Sequence, residues 1–470
     1  MLFDVTQIPG RAVWRLRLFT SLCALCALIA CGGNTTPSAN TSMPALVAPS
    51  SLTYDSPRPL YMSGDAITNN AARVFGGPVS SFSVSPALPA GLGLDAQSGL
   101  ISGTPTELQR ETEHTVTASN AAGSAQAVLR LTVTGRGSWT DTSAHTTSRH
   151  SSALTVLADG RVLAAGGFAA GGSSSATEIY EPLAGRWIPA APMLYPSSGH
   201  RSVRLLDGRV LTLGGDVAGS ATTARAELYD PGPAADWTAT GSMAVERSNA
   251  TATRLADGSV LAVGGYAQNP LTFTDTVERY DPSTGHWTTL ATRLSTPRAQ
   301  HAAELLPGGT HLLVVGGVNH FGFVRSAELY AVDGSGTTPI AFTDTGNVFL
   351  SAVLDDGSVL VVCDGSTTAW RYLPDSGTWQ TSTFSITRSI PTLTALADGR
   401  VLLAGGAGGG NVRFNSAEIY NPDHNLWTAA SPMTGRRNGA AAALLGDGDV
   451  LMFSGFDGTG EVAGSERFRP

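Results

Sequence analysis

The sequence predicts an all-β chain, a closed ring of seven four-stranded units (a β-propeller) preceded by a small β-sandwich. Three observations lead there. First, one pattern recurs through the C-terminal two-thirds: Asp-Gly-Arg-Val-Leu, then Gly-Gly, then Ala-Glu-Ile/Leu-Tyr, then Trp, as at residues 398–402, 405–406, 417–420 and 427. Its period of roughly 48 residues is that of one supersecondary unit that must stack on its neighbours to bury an apolar face. Second, the seventh copy ends before its Trp, while Ser138-Trp139-Thr140 precedes the first copy as Trp187 precedes the second. First and last residues then share one unit, which locks the ring. Third, the segment ahead of the repeats alternates apolar and polar residues at 115–118 and 127–133, the period of half-buried strands.

Taken in order, residues 1–30 read as a targeting segment. Arg11, Arg15 and Arg17 precede an apolar run from Leu18 to Ala30 that is short for a membrane span. Leu28-Ile29-Ala30-Cys31 resembles the bacterial lipobox, which implies a signal peptide cleaved before a lipidated Cys31. Gly32 rather than Asp follows, and in that family this implies the outer membrane. Residues 31–50 are small, polar and Pro-bearing, a flexible tether. Cys23 and Cys26 leave with the signal, so Cys363 remains and no disulfide is expected in the mature chain.

Residues 51–135 form the sandwich. Between its strands lie LPAGLGLD (88–95) and SGLISGTP (98–105). Gly91, Gly99 and Gly103 suit turns with positive φ, and Pro105 stops a strand. These segments resemble the Ig-like domains of bacterial surface proteins, which implies a spacer or adhesive module.

Residues 138–470 carry the repeats. In the sixth, residues 393–397 are the innermost strand, Asp398-Gly399 a hairpin, 401–404 the second strand ending at the diglycine, 417–420 the third and Trp427-Thr428 the outer. Tyr and Trp supply large apolar area between units. The pattern resembles kelch repeats and, more loosely, the kelch-like propeller of galactose oxidase. The whole is expected to be a seven-bladed kelch-type β-propeller behind an Ig-like β-sandwich.

Two registers repeat with charge. Arg149, Arg247, Arg298, Arg388 and Arg437 start the inner strands and are expected to ring one mouth of the channel. Glu178, Glu227, Glu278, Glu328, Glu418 and Glu466 occupy the third strands. Blade 5 has Gly346 and Trp370 instead and Cys363-Asp364 for its diglycine, so the features are expected to serve one structural purpose, such as an Arg–Glu pair.

The formal charge is −8, and every one of the 29 basic residues is Arg. That excludes a Lys nucleophile, a Schiff base and a P-loop, and argues against a nucleic-acid partner. The galactose-oxidase resemblance implies a copper site of two Tyr and two His with a Tyr–Cys crosslink. Here Cys363 sits in a strand slot, the Tyr-His dipeptide is absent, and His150, His200 and His301 do not share one register. No cofactor, metal or catalytic residue is expected. The loops joining second and third strands differ between blades and offer Tyr266, Phe273, His320, Phe321, Arg325, Arg413 and Phe414. Kelch relatives imply that Tyr195 and His200, on outer-to-inner connections, share their face. The leading expectation is a non-enzymatic, surface-tethered protein presenting this face to a protein or polysaccharide. The alternatives are a carbohydrate-active or copper-radical oxidase-like enzyme, and an adhesion component that packs with its own copies.

Overall fold

The computed structural model describes residues 45–218, 221–342 and 349–470. The targeting segment, Cys31 and Gly346 lie outside them. The described residues are strands and turns apart from one 3-10 turn at Gly409–Asn411.

In the sandwich, Leu60–Met62, Gly123–Thr134, Gln109–Asn120 and Ser81–Ser85 form one sheet in that order. Pro49–Tyr54 pairs with Ala72–Gly76, and Leu92–Leu94 with Ile101–Gly103. Alternation sends Leu52, Tyr54, Phe82, Val116, Ala118 and Leu129 into one core with Ile101. Gly91, Gly99 and Gly103 all have positive φ. A side chain at Gly91 would strike the Thr104 carbonyl at 1.9 Å, so the LPxGL turn needs glycine.

Each repeat forms one antiparallel sheet. Blade 1 runs Ala153–Val156 (inner), Val162–Ala165 (second), Thr177–Glu181 (third) and Arg186–Pro189 (outer). Among the described residues, seven four-stranded sheets of this kind are present, and their inner strands adjoin in a closed cycle, seventh against first. The seventh sheet takes Ala441–Leu444, Val450–Phe453 and Ser465–Arg469 from the C-terminus and Ser138–Asp141 as its outer strand.

The Asp-Gly hairpins are one residue longer than the two-residue turn the dipeptide suggests. Leu157 N–H donates to the Arg161 carbonyl around Ala158, Asp159 and a left-handed Gly160. Asp159 Oδ1 also accepts the Arg161 N–H, an Asx turn that Asp398 repeats with Arg400. Tyr and Trp are direct cross-strand partners, as Tyr180 is to Trp187, with ring centroids 5.1 Å apart. Both lie buried against Leu451 and Phe453 of the preceding blade. Blade 4 puts Thr337 opposite Tyr330, so it lacks this aromatic pair.

The sandwich meets the hairpin side of the ring at blade 6. Arg58 Nη1 donates to the Asp423 carbonyl (2.9 Å), and Arg400 of the blade 6 hairpin bonds Thr134. Between them lies a cleft of about 650 Å³ bordered by Arg110, Glu111, Asp355, Arg371 and Asp398. The loops that join second to third strands therefore open on the opposite side of the ring.

Ring closure depends on Trp139. It faces Phe468 across the last strand pair at 5.0 Å, and its Nε1 donates to the Ser431 carbonyl of blade 6. Trp139→Ala should lower stability by about 2–4 kcal/mol, and deletion of residues 137–140 by more, read as the midpoint of thermal or urea unfolding. An unchanged midpoint in both would mean that this strand does not close the ring.

Candidate functional site

The repeated arginines do not line an open mouth. Arg149, Arg247, Arg298, Arg388 and Arg437 are each 2% exposed or less, turned into their own blades. Each meets the glutamate of its blade, Glu178, Glu278, Glu328, Glu418 and Glu466, at 2.5–3.1 Å. Each also donates to the carbonyl of the first diglycine residue or its equivalent: Gly166, Gly264, Gly316, Gly405 and Ser454. The glutamate in turn accepts backbone N–H groups from the connection entering the blade. Thr146 donates to Glu178, Ala244 and Val245 to Glu278, and Thr434 and Gly435 to Glu466.

The diglycine carries the node to the next blade. Gly215, Gly265 and Gly406 N–H groups donate to the carbonyls of Arg247, Arg298 and Arg437 one blade on. Both glycines are left-handed, and a side chain at Gly214 would meet the Arg247 carbonyl at 2.2 Å. In blade 5 this N–H belongs to Gly365, one residue beyond the Cys363-Asp364 pair that aligns with the diglycine.

Blade 2 keeps the glutamate without the arginine. Ser197 stands in the arginine register and its Oγ donates to the Gly214 carbonyl. Glu227 still accepts from the Leu194 and Tyr195 N–H groups. Burial pushes the Glu227 carboxyl up. At Glu178, burial acts the same way but the bonds from Thr146 and Arg149 outweigh it and hold the group below its ordinary range. The two kinds of glutamate should therefore respond to different extents. Glu278→Gln leaves the Arg247 guanidinium buried and unbalanced and should lose about 3–5 kcal/mol in urea unfolding. Glu227→Gln keeps one of the two acceptors and removes a buried charge, so it should lose less, about 1–2 kcal/mol.

On the face away from the sandwich, the second-to-third connections of blades 1–4 are small hairpins standing side by side. They are Phe168–Ala169 with Gly172–Ser173, Asp216–Val217 with Ala221–Thr222, Tyr266–Gln268 with Leu271–Phe273, and Val318–Asn319 with Gly322–Phe323. Each touches the next. Ser173 Oγ donates to the Asp216 carbonyl (2.7 Å), Tyr266 OH to Asp216 Oδ2 (3.0 Å), and the Phe273 ring meets the His320 edge at 5.0 Å. Phe321 is 98% exposed and Phe323 47%, with Leu271 and Arg325 open beside them. On blades 6 and 7, Arg413 Nε donates to Asn438 Oδ1, and its guanidinium lies over Phe456 at 5.5 Å. Tyr195 is partly exposed on its connection, under the Arg225 guanidinium at 4.0 Å.

Two expected residues lie elsewhere. His200 is 2% exposed and fills the space over Gly166, so it packs between blades rather than facing solvent. Phe414 turns inward over Arg388 at 5.5 Å because Gly408 leaves room for its ring. Asp216 was not anticipated. It is the one acid in a register filled elsewhere by Phe168, Tyr266, Val318, Ala407 and Phe456, a break the repeat alignment contains. Burial raises its carboxyl against the bonds from Ser248 and Tyr266, and its Oδ1 is buried without a partner.

Three histidines, His145, His200 and His301, are buried. Burial holds His200 and His145 down at about 4, and His301 well below its usual range. Among the described residues no group of three His, Cys, Asp or Glu could hold an ion, and Cys363 is buried in the second strand of blade 5. An unfolded chain protonates these histidines as pH falls through about 6.5, the folded one only well below that, near 4 at His200 and His145. The unfolded state then binds more protons, so their stability contribution is complete above pH 6.5 and is lost toward pH 4. Thermal midpoints taken from pH 7 to 4.5 should fall, and His200→Gln should flatten the fall; an equal slope in the variant would remove His200 from the account.

Comparison with known proteins agrees with this architecture. Residues 34–134 match the family described as "Putative Ig domain", and residues 248–293 and 393–434 match the Kelch motif. The chain carries an Ig-like domain and Kelch repeats. No curated protein matches its sequence. Among solved structures it resembles a novel fungal alcohol oxidase of the AA5 family, in complex with copper, at 18% identity and a TM-score of 0.59, over 71% of this chain and 76% of that one. The likeness is one of fold.

Proposed function

We propose that this is a non-enzymatic binding protein, tethered at the outer membrane through Cys31, that presents its loop face to a protein or polysaccharide. The observation that carries the reading is the continuous row of hairpins on blades 1–4, with Phe321, Phe323, Leu271 and Arg325 open to solvent on its rim. Exposed aromatic and Arg side chains on loops held by a rigid ring are the usual anchors of recognition. The Ig-like domain meets the opposite side of the ring, which leaves this face unobstructed by it. The lipobox-like residues 28–31 support the tether, and labelled fatty acid should enter the chain but not its Cys31→Ala variant.

Titration against envelope polysaccharides and envelope proteins tests the binding reading. Phe321→Ser combined with Arg325→Ala should weaken whichever partner binds by ten-fold or more without moving the unfolding midpoint. Full affinity in that variant would take the site off these loops. The fold of a copper alcohol oxidase favours a second reading, but the donor set does not fit it: His200 and His301 are buried, and no ligand triad is present among the described residues. Incubation with Cu(II) and primary alcohols should give no peroxide above the blank; peroxide formation would favour the oxidase reading instead.

A further inference from the structure

Three arginines sit on the inner strands without an acid to hold them. Arg201 and Arg204 bound the inner strand of blade 2, Arg201–Arg204, and Arg254 ends that of blade 3, Thr251–Arg254. An inner strand is covered outward by its own sheet and flanked on both sides by its neighbours, so the surface its residues keep is axial. All residues of both strands are half-buried, so solvent reaches them along the axis.

The mouth on the loop side is built from backbone. Ser151, Gly199, Asn249, Gln300, Ile390 and Gly439 are all left-handed, one to a blade. Their N–H groups pass hydrogen bonds around the rim, from Gln300 to Asn249, Asn249 to Gly199, Ser151 to Gly439 and Gly439 to Ile390. Below the rim the walls differ. Blades 6, 7 and 1 present the strands TLTA, AAAL and ALTV, without charge. Blades 2 and 3 present the three arginines.

None of the three has a carboxylate partner among the described residues. Arg201 Nη1 reaches only the His200 carbonyl at 3.4 Å, and Arg254 Nη1 donates to the Arg204 carbonyl at 2.8 Å. The Arg204 guanidinium has no partner among the described residues. Glu304 of blade 4, the one acid on the described inner strands, is bound by Ser351 Oγ at 2.7 Å rather than by an arginine. In this acidic chain the fully buried repeat arginines all carry a glutamate. Half-buried arginines without a carboxylate partner suit an oxyanion, since the guanidinium fork matches carboxylate and phosphate.

We infer that the axial channel is an anion site, in which Arg204 and Arg254, neighbours on adjoining strands, bind a compact carboxylate or phosphate group against the uncharged wall of blades 6, 7 and 1, with Arg201 further along the blade 2 strand. Isothermal titration of the full chain with sodium phosphate, citrate and glucuronate, in an oxyanion-free buffer, tests it. At least one probe should bind with a Kd of about 1 mM or tighter. Preference for phosphate would point to a free phosphate, and preference for glucuronate to the acid group of a sugar. Arg204→Gln, which loses no side-chain hydrogen bond, and Arg254→Gln should each weaken binding ten-fold or more, with the Arg204→Gln midpoint unchanged. Phe321→Ser, on the loop rim, should leave it intact. Failure of all three probes to bind, equal affinity in both arginine variants, or loss of binding in Phe321→Ser would overturn the assignment.

Discussion

The ring depends on a guanidinium withdrawn from water. At the start of five inner strands an arginine binds a glutamate of the third strand and the carbonyl of the first diglycine residue or its equivalent, and at Arg247, Arg298 and Arg437 its own carbonyl also accepts the diglycine N–H of the preceding blade. The glutamate adds the N–H groups of the connection that enters the blade. One buried charge pair thus fixes a strand end, a turn and a blade-to-blade junction together. A buried ion pair is weak evidence of net stability. Its value here is geometric, because the pair ties several backbone groups of different segments to one place. The Tyr–Trp pairs and aliphatic second strands then supply the apolar burial between blades.

Beyond the diglycine the chain is released from these constraints. The connection that follows can change length and composition without disturbing the node, and each described blade except the fifth uses it to raise a longer loop on one face. Blade 5 lacks the glutamate, since Trp370 occupies its place and packs on Phe342 and Trp379. Its second-to-third connection is a short turn at Asp364-Gly365, so the row of loops is interrupted there. A binding face and its boundary therefore follow from where the repeat is obeyed and where it lapses.

Much of this was legible in the sequence. The strand order, the closing role of the segment around Trp139, and the positive φ of Gly91, Gly99 and Gly103 follow from period and turn chemistry. The Arg and Glu registers could also be read, but not the direction of their side chains. A start-of-strand arginine looks like a rim residue until the diglycine carbonyl that draws it inward is seen. His200 misled for the same reason: its register lies near the axis, yet the missing side chain of Gly166 opens a buried slot for its ring. Phe414 likewise follows the space left by Gly408. The three axial arginines were visible as letters, but their isolation from acids is a property of seven strands brought together. Asp216 was the signal most available and unused, one acid in a column of apolar residues.

The seating of the Ig-like domain bears on how the protein carries load. The polypeptide passes from its last strand, Gly123–Thr134, straight into Ser138–Asp141, the strand that closes the ring. A pull transmitted along that path alone would peel the outer strand from Ser465–Arg469 one pair at a time, the weakest way to strain a sheet. The lateral bonds from Arg58 to Asp423, from Arg400 to Thr134 and from Ser431 N–H to the Arg136 carbonyl bypass it. They divert tension from the seam into blade 6, where it spreads as shear across an intact sheet. The ring's lock is thereby shielded from the strand that leads to it.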